Sequence, residues 1–489
     1  MLLRHVQNTA AMSKNDKKGN TPLSRRKFIE QTAIAATGVT IVPRYVLGGV
    51  GYTAPSDRVN IAAIGAGGKG RSNIATASAW SKASGETQEN VIALCDVDDQ
   101  RAAESYLRYP QAKRFKDFRK MLDAISNDID AVIVSTPDHM HAAAAIASMR
   151  LGKHVYVEKP LTHNIYEARK LTEAARQYNV ITQMGNQGNS SDDIRRICEW
   201  IWAGTIGEIR EVHCWTNRPI WAQGLPRPDK AHPIPDSLDW DLWLGPAPYQ
   251  YYHPVFVPWG WRGWWDFGTG SLGDMACHII DPAFKALKLG YPVSVEASTS
   301  VPRGADRSKL VYKESCPPSS LIHFDFPARG GLPPVTLHWY DGGLMPRRPI
   351  ELNDDEQLGD NGGGVLFVGD KGKIMCGTYA RNPQLLPTSL MNDFKEPPPT
   401  IPRVKTGHQR SWIEGIKGGA APSSNFDYAG PLTEMVLMGN LALRSLSIEE
   451  NGANTGYQRL KWDGKNMKIT NYAPANQFVR RKYRKGWSL

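Results

Sequence analysis

Cysteine is scarce and scattered. The six residues Cys95, Cys198, Cys214, Cys277, Cys316 and Cys376 are spread over 489 positions with no C-x-x-C pair, which excludes a zinc ribbon or a redox dithiol and leaves most of them to be read as small buried hydrophobes. Their spacing alone assigns no disulfide. No apolar run approaches the roughly 20 residues that a bilayer requires, so no integral membrane span is expected. Internal repeats are lacking too. The basic excess, net +11, is missing from the body of the chain: residues 1–49 carry +6 and the segment from Arg480 carries +5. A near-neutral body gives no electrostatic footprint for a nucleic-acid partner, and none is expected.

What is present is enough apolar sequence, 41%, for two folded units with their own cores. Ahead of them, Ser24-Arg25-Arg26-Lys27-Phe28-Ile29 sets a twin arginine before a mildly apolar run, Thr32 to Val42. The pattern resembles a twin-arginine export signal, which implies a periplasmic or secreted protein carried across already folded. A basic tail with an incidental arginine pair is the other reading those residues allow.

From Arg58 onward, apolar strands alternate with helical stretches, the signature of a doubly wound parallel sheet. Strands are expected at Val59–Ile64, Val91–Cys95, Ala131–Ser135, His154–Val157 and Val180–Met184. Helices are expected near Gly70–Ala79, Asp98–Leu107, Phe118–Ser126, His141–Leu151 and Ile165–Gln177. Beyond a helix at Asp192–Ala203, alternating strands at Leu321–Phe326 and Val335–Tyr340 point to a mixed sheet with one covered face. The expected architecture is α/β, with a leader at 1–49, a Rossmann domain at 50–186, and an α+β substrate and oligomerisation domain with an open mixed sheet at 187–489.

Six groups of residues carry chemistry. Gly65-Ala66-Gly67-Gly68-Lys69-Gly70 follows a strand and opens a helix, so that Gly65 permits the turn, Gly67 the approach of a pyrophosphate and Gly70 close helix packing. Asp96 ends the second strand, where a carboxylate binds ribose hydroxyls and disfavours a 2′-phosphate, so NAD is favoured over NADP. A surface turn of glycines without a nucleotide is the plainer alternative. Ser135-Thr136-Pro137 and His141 lie at the carboxyl edge of the sheet, where ligands of open α/β folds bind. His139 and His141, two apart, point away from each other in an extended segment, and no metal site is expected there.

Glu158-Lys159-Pro160 follows the next strand. A lysine at the mouth of a cofactor cleft can polarise a substrate hydroxyl, although spacing alone suits a surface ion pair equally well. In the second domain Asp274 and His278 are four apart on one helix face with Asp281 close by. A histidine there suits removal of a hydroxyl proton, with the carboxylate one turn back orienting it; a satisfied core histidine fits the same helix. The loop before it is dense in tryptophan: Trp240, Trp243, Trp259, Trp261, Trp264 and Trp265, with Arg262 among them. Indole faces suit the apolar face of a sugar ring, and Arg262, Trp264 and Trp265 are the substrate-binding candidates, against the alternative of plain core packing.

Together these residues resemble the glucose-fructose oxidoreductase/inositol dehydrogenase (Gfo/Idh/MocA) family, over about Arg58 to Trp462. The ordered set Gly65-x-Gly67-x-x-Gly70, Ser135-Thr136-Pro137, Glu158-Lys159-Pro160 and Asp274-x-x-x-His278 carries the resemblance. It implies a Rossmann domain before an open mixed sheet, with Lys159 and His278 as catalytic pair and Asp274 as their partner. One departure is Ala276, where members commonly have glycine. The resemblance implies a nicotinamide cofactor and a carbohydrate or cyclitol as small-molecule substrate; because free NAD is scarce outside the cytoplasm, tightly bound NAD is expected. By analogy with such folds a homo-oligomer is expected. The expected activity is oxidation of a sugar or cyclitol hydroxyl. The alternative is a redox-neutral NAD-dependent glycosidase or lyase working through a transient keto-sugar, and a non-catalytic carbohydrate-binding protein is a third class.

Overall fold

Short apolar runs, each followed by an amphipathic stretch, can bury both faces of a sheet only if the strands run parallel with helices crossing over them. The computed structural model describes residues 57–301, 313–450, 453–454 and 458–489; the expected leader at 1–49 lies outside them. Strands β1 (Asn60–Ile64), β2 (Asn90–Cys95), β3 (Lys113–Phe115), β4 (Ala131–Val134), β5 (His154–Val157) and β6 (Thr182–Met184) form one sheet in the order β3-β2-β1-β4-β5-β6. Every pair in it is parallel. Helices α1 (Gly68–Ala77), α2 (Asp99–Arg108), α3 (Phe118–Ile125), α4 (Asp138–Arg150) and α5 (Ile165–Gln177) make the crossovers.

Three details differ from expectation, each for a local reason. Strand β6 starts two residues late because the Ile181 N–H is taken by the His154 ring, at 2.9 Å, rather than by a ladder partner. Helix α4 starts three residues early, since Pro137 (φ −60°, ψ 155°) supplies an extended N-cap directly before Asp138. The third is β3, which pairs with the carboxyl half of β2 but is only Lys-Arg-Phe, too short and too charged to show an apolar pattern.

After α6 (Asp192–Trp202) a second sheet begins with β7 (Ile209–Thr216). Strands β8 (Ser294–Thr299), β9 (Ser320–Phe326), β10 (Val335–Tyr340), β11 (Gly363–Gly369), β12 (Lys373–Gly377) and β13 (Gln384–Leu386) join it. A separate two-residue pair, β14 (Glu449–Glu450) and β15 (Ala453–Asn454), precedes β16 (Leu460–Asp463) and β17 (Lys468–Ile469). The nine strands run β13-β12-β11-β7-β10-β9-β8-β16-β17, with only β7 and β10 parallel. This is the mixed sheet expected. In β9 and β10 alternate side chains, among them Ile322, Phe324, Leu337 and Trp339, are buried while their neighbours are half-buried.

The covered face packs on two helices. These are α8 (Gly270–Ile279) and α11 (Phe426–Ser445); a short α7 (Trp240–Leu244) precedes them, and α9 (Asp281–Ala286) and α10 (His408–Ile416) lie between them in the chain. Helix α8 lies against β7 and α11, and α11 against β8 and α5, so a single helix layer serves both sheets. Arg169 of α5 clamps Glu434 of α11 with two bonds of 2.8 Å. Residues Asp57–Leu489 accordingly form one compact unit. The basic C-terminal segment is held down as well: Arg481 pairs with Glu167 at 2.8 Å, Arg484 with Asp241, and Arg480 lies over the Tyr166 ring. All six cysteines are buried and unpaired. Among the described residues no helix is long and apolar enough to cross a membrane.

Candidate active site

A cavity of about 790 Å³ opens where the carboxyl ends of β1, β2, β4 and β5 face helix α8. The glycine turn forms its floor. Gly65 has φ +86°, and a Cβ there would meet the Ser135 carbonyl oxygen at 2.6 Å; a Cβ on Gly70 would run into the carbonyl oxygen of Gly65. Glycine is therefore demanded at both positions by the contact of the turn with β4 and with itself. Helix α1 has no side-chain cap at Gly67, so its first N–H groups are left for an anion in the cavity.

Asp96 braces that turn. Its Oδ2 accepts from the N–H groups of Ala66 (2.8 Å) and Gly67 (3.0 Å), and Oδ1 from Asp98 at 3.0 Å. Burial pushes its carboxyl up, against the pull of those three N–H groups. The carboxylate expected to read a ribose thus has a first task within the protein, although it also lines the cavity. Glu158 is held in the same way, accepting from Asn73 Nδ2 at 2.8 Å, while the same nitrogen donates to Ser135 Oγ at 3.0 Å. Gln409 of α10 fixes the other end of the Asn73 amide at 3.1 Å. Neither Asn73 nor Gln409 is visible as a site residue in the sequence, since each is a single polar position on a helix.

On the opposite wall Asp274 is met by three cations. Lys159 Nζ donates to its Oδ1 at 2.7 Å and to its main-chain oxygen at 2.5 Å; Arg262 Nε donates to Oδ1 at 3.2 Å, and Arg218 Nε lies 3.7 Å from Oδ2. Burial by itself would raise this carboxyl. The charges of Lys159, Arg262 and Arg218 outweigh it and hold the group at about 2. A lysine ammonium has three N–H bonds, and two are spent on Asp274, so the third is the one available to the cavity that Lys159 lines.

His278, one turn along α8, also lines the cavity, with its ring edge-on to Tyr379 at 4.6 Å. The expectation that Asp274 orients it is corrected: the carboxylate faces the lysine and two arginines, and His278 Nδ1 has no hydrogen-bond partner among the described residues. Burial, reinforced by the charge of Lys159, pushes the imidazole well below its ordinary range, so it stands neutral at pH 7. Asp281 turns away, accepting from Asn186, Asn189 and Tyr428 inside the protein.

Two further expectations need correction. Trp264 and Trp265 do not line the cavity; Trp264 packs edge-on against Phe256 at 5.2 Å, inside a small core that the loop makes with Trp240, Trp243 and Phe267. That core is needed because the loop has no sheet of its own to lie on. The indoles at the cavity are Trp221, Trp243, Trp259, Trp261 and, from the C-terminal segment, Trp487. Arg262 does line it, with its guanidinium over Trp261 (4.2 Å) and Trp259 (4.4 Å). His141 is also elsewhere than expected: its ring nitrogens lie 2.8 Å from the carbonyl oxygens of Thr136 and Pro160, behind the Ser135-Thr136-Pro137 wall. It ties the two cavity-lining loops together without reaching the cavity. Tyr379 (φ +62°) and Arg218 come from connections between strands of the second sheet, where no sequence pattern singles them out.

The site fits a dinucleotide. The turn, an uncapped helix start, and Thr136 Oγ1, Gln187 Nε2 and His278 Nδ1, which have no hydrogen-bond partner among the described residues, all converge on one cleft. Gly65 to Gly70, Ser135 to Pro137, Glu158 and Lys159 would hold it.

Comparison with known proteins agrees. Residues 59–186 match the model described as "Oxidoreductase family, NAD-binding Rossmann fold", and residues 209–306 the family's C-terminal alpha/beta domain. The levoglucosan dehydrogenase of Pseudarthrobacter phenanthrenivorans is 26% identical over 43% of this chain and 45% of its own length. A glycosyl hydrolase family 109 protein of Shewanella pealeana is 26% identical over 38% of this chain and 44% of its own. The chain thus spans less than half the length of these curated relatives. Among solved structures, the WlbA dehydrogenase from Bordetella pertussis in complex with NADH and UDP-GlcNAcA shares the fold, with a TM-score of 0.53 at 16% identity over 78% of this chain and 95% of that one.

The brace on the glycine turn is open to test. Asp96→Ala leaves two loop N–H groups without their acceptor, at about 1–3 kcal/mol, so NAD affinity measured by calorimetry should fall by roughly ten- to a hundredfold. An unchanged Kd would mean that the turn is held by other contacts.

Proposed function

We propose that this chain, built from the Rossmann and C-terminal domains of the Gfo/Idh/MocA oxidoreductase family, oxidises a hydroxyl of a sugar or cyclitol at NAD held in the cleft. The observation that carries this reading is that Lys159 and His278 line the same cavity as the glycine turn. A hydroxyl between them meets an N–H donor and a neutral base at once.

The division of labour follows from the electrostatics. His278, kept neutral by burial, takes the hydroxyl proton, and Asp274 on the same helix favours the cation that results. Lys159 gives its third N–H to the substrate oxygen, steadying the charge that develops there. Asp274 supplies the counter-charge that makes a buried ammonium affordable. Arg262 and the indoles around it offer donors and flat faces for the remaining hydroxyls and ring of the substrate. When bound, NAD supplies the nicotinamide C4 that accepts a hydride from the carbon.

A second reading is favoured by the Shewanella pealeana relative, whose name places it among glycosyl hydrolases. On that reading the same proton transfer is the opening half of a cycle in which a glycosidic substituent is eliminated and the hydride returned. The twin-arginine stretch Ser24 to Ile29 fits either version, since it would export the chain already folded around its cofactor.

The deciding experiment is to denature untreated protein, quantify released NAD(H), and follow nicotinamide absorbance of the native protein against a panel of sugars, cyclitols and glycosides. Net reduction of NAD by a free sugar or cyclitol supports the dehydrogenase. Stoichiometric cofactor that stays oxidised while a glycoside is cleaved supports the redox-neutral cycle, and absence of both sinks the proposal. In either case His278→Ala should lower turnover by about 10²–10⁴-fold and leave NAD bound; unchanged turnover removes its assigned role. For export, replacing Arg25 and Arg26 by lysine should retain the protein in the cytoplasmic fraction, and undiminished export would show that another signal acts.

A further inference from the structure

The open face of the nine-stranded sheet carries a polar cluster that the cleft chemistry does not use. His213 of β7, His338 of β10 and His323 of β9 stand directly opposite one another across three neighbouring strands, and Glu211 lies two residues before His213 on the same face. None of the four lines the cleft.

We propose that Glu211, His213 and His338 form a binding site for a divalent transition-metal ion of the Zn²⁺ class. Two ligand atoms at about 2 Å from a tetrahedral ion lie roughly 3.3 Å apart. Glu211 Oε1 is 3.2 Å from His213 Nε2 and 3.2 Å from His338 Nε2, and the three ligand atoms all fall within 4.8 Å of one another. Two imidazoles and one carboxylate are a donor set that zinc accepts, with a fourth position left for water. Glu211 is about half exposed, so an ion can enter from solvent.

The groups behind the ligands have the arrangement that metal sites require. A histidine bound through Nε2 is held in place by a partner on Nδ1. His213 Nδ1 lies 3.0 Å from the Tyr340 hydroxyl, and His338 Nδ1 lies 2.6 Å from His323 Nδ1. The two ligand rings are also stacked, 4.9 Å apart with 20° between their planes, and both Nε2 atoms face Glu211. These histidines are separated by over a hundred residues in sequence, and only the parallel pairing of β7 with β10 brings them together. An ion here would cross-link strands from distant parts of the chain.

The test uses full-length protein stripped with a chelator and then titrated with Zn²⁺ and, for its visible spectrum, Co²⁺. About one ion per chain is expected, with the intense absorption of tetrahedral Co²⁺. His213→Ala and His338→Ala should each lose at least a hundredfold in affinity, Tyr340→Phe roughly tenfold, and His278→Ala, in the cleft, nothing. Uptake unaffected by the sheet variants, uptake lost in His278→Ala, or no stoichiometric uptake by the wild type would each overturn the proposal. Should a variant fail to fold, zinc-edge anomalous scattering from wild-type crystals soaked in Zn²⁺ decides the matter. A peak between Glu211, His213 and His338 supports the site; its absence there refutes it.

Discussion

A carboxylate removed from water is expensive unless cations meet it, at a cost of several kcal/mol for each unpaired ion. Asp274 meets three, Lys159, Arg262 and Arg218, which reach this one charge from three parts of the chain. Lys159 arrives from the end of β5, Arg262 from the aromatic loop, Arg218 from the segment after β7, and Asp274 itself sits on the helix that joins the two sheets. The interaction therefore couples the architecture to the chemistry. The same contact that fastens the Rossmann sheet to α8 leaves one lysine N–H facing the cleft and keeps His278 beside it.

The supports around this centre are mostly polar side chains with two partners each. Asp96 holds the glycine turn to β2, Asn73 joins Ser135 and Glu158, and Thr269, just ahead of α8, donates to Asp138 at the start of α4 at 2.6 Å. Asn440 of α11 in turn donates to the Thr269 carbonyl at 2.8 Å. Each wall of the cavity is thus hydrogen-bonded to a different secondary element, so the site is preorganised by the fold before any ligand arrives.

Much of this was legible in the sequence, because the parallel sheet writes itself as apolar runs and because the glycine turn, Lys159 and Asp274-x-x-x-His278 are local patterns. Helix α5 and strand β10 carry the expected bounds. What local pattern cannot express is partnership. Asp274 and His278 share a helix face, a pattern that predicts that one orients the other, but the lysine and arginines that claim the carboxylate come from elsewhere in the chain. Trp264 and Trp265 share their composition with the indoles that do reach the cavity; Trp243 and Trp261 are buried in the same loop core as Trp264 and line the cavity as well, a difference that no periodicity marks. Tyr379 and the histidines of the open sheet depend wholly on which strands become neighbours.

The charge of Asp274 bears on the site more than any other group does, and Asp274→Asn removes it with the least disturbance of shape. The measurement is single-turnover reduction of bound NAD by a carbohydrate that the wild-type protein oxidises. If the charge holds Lys159 and the arginines in working position, the variant should bind NAD as before and transfer hydride at least about a hundredfold more slowly, a loss of roughly 2.7 kcal/mol in transition-state stabilisation. Hydride transfer at the wild-type rate would show that the three cations are placed by other contacts, and that the carboxylate is not the centre of the site.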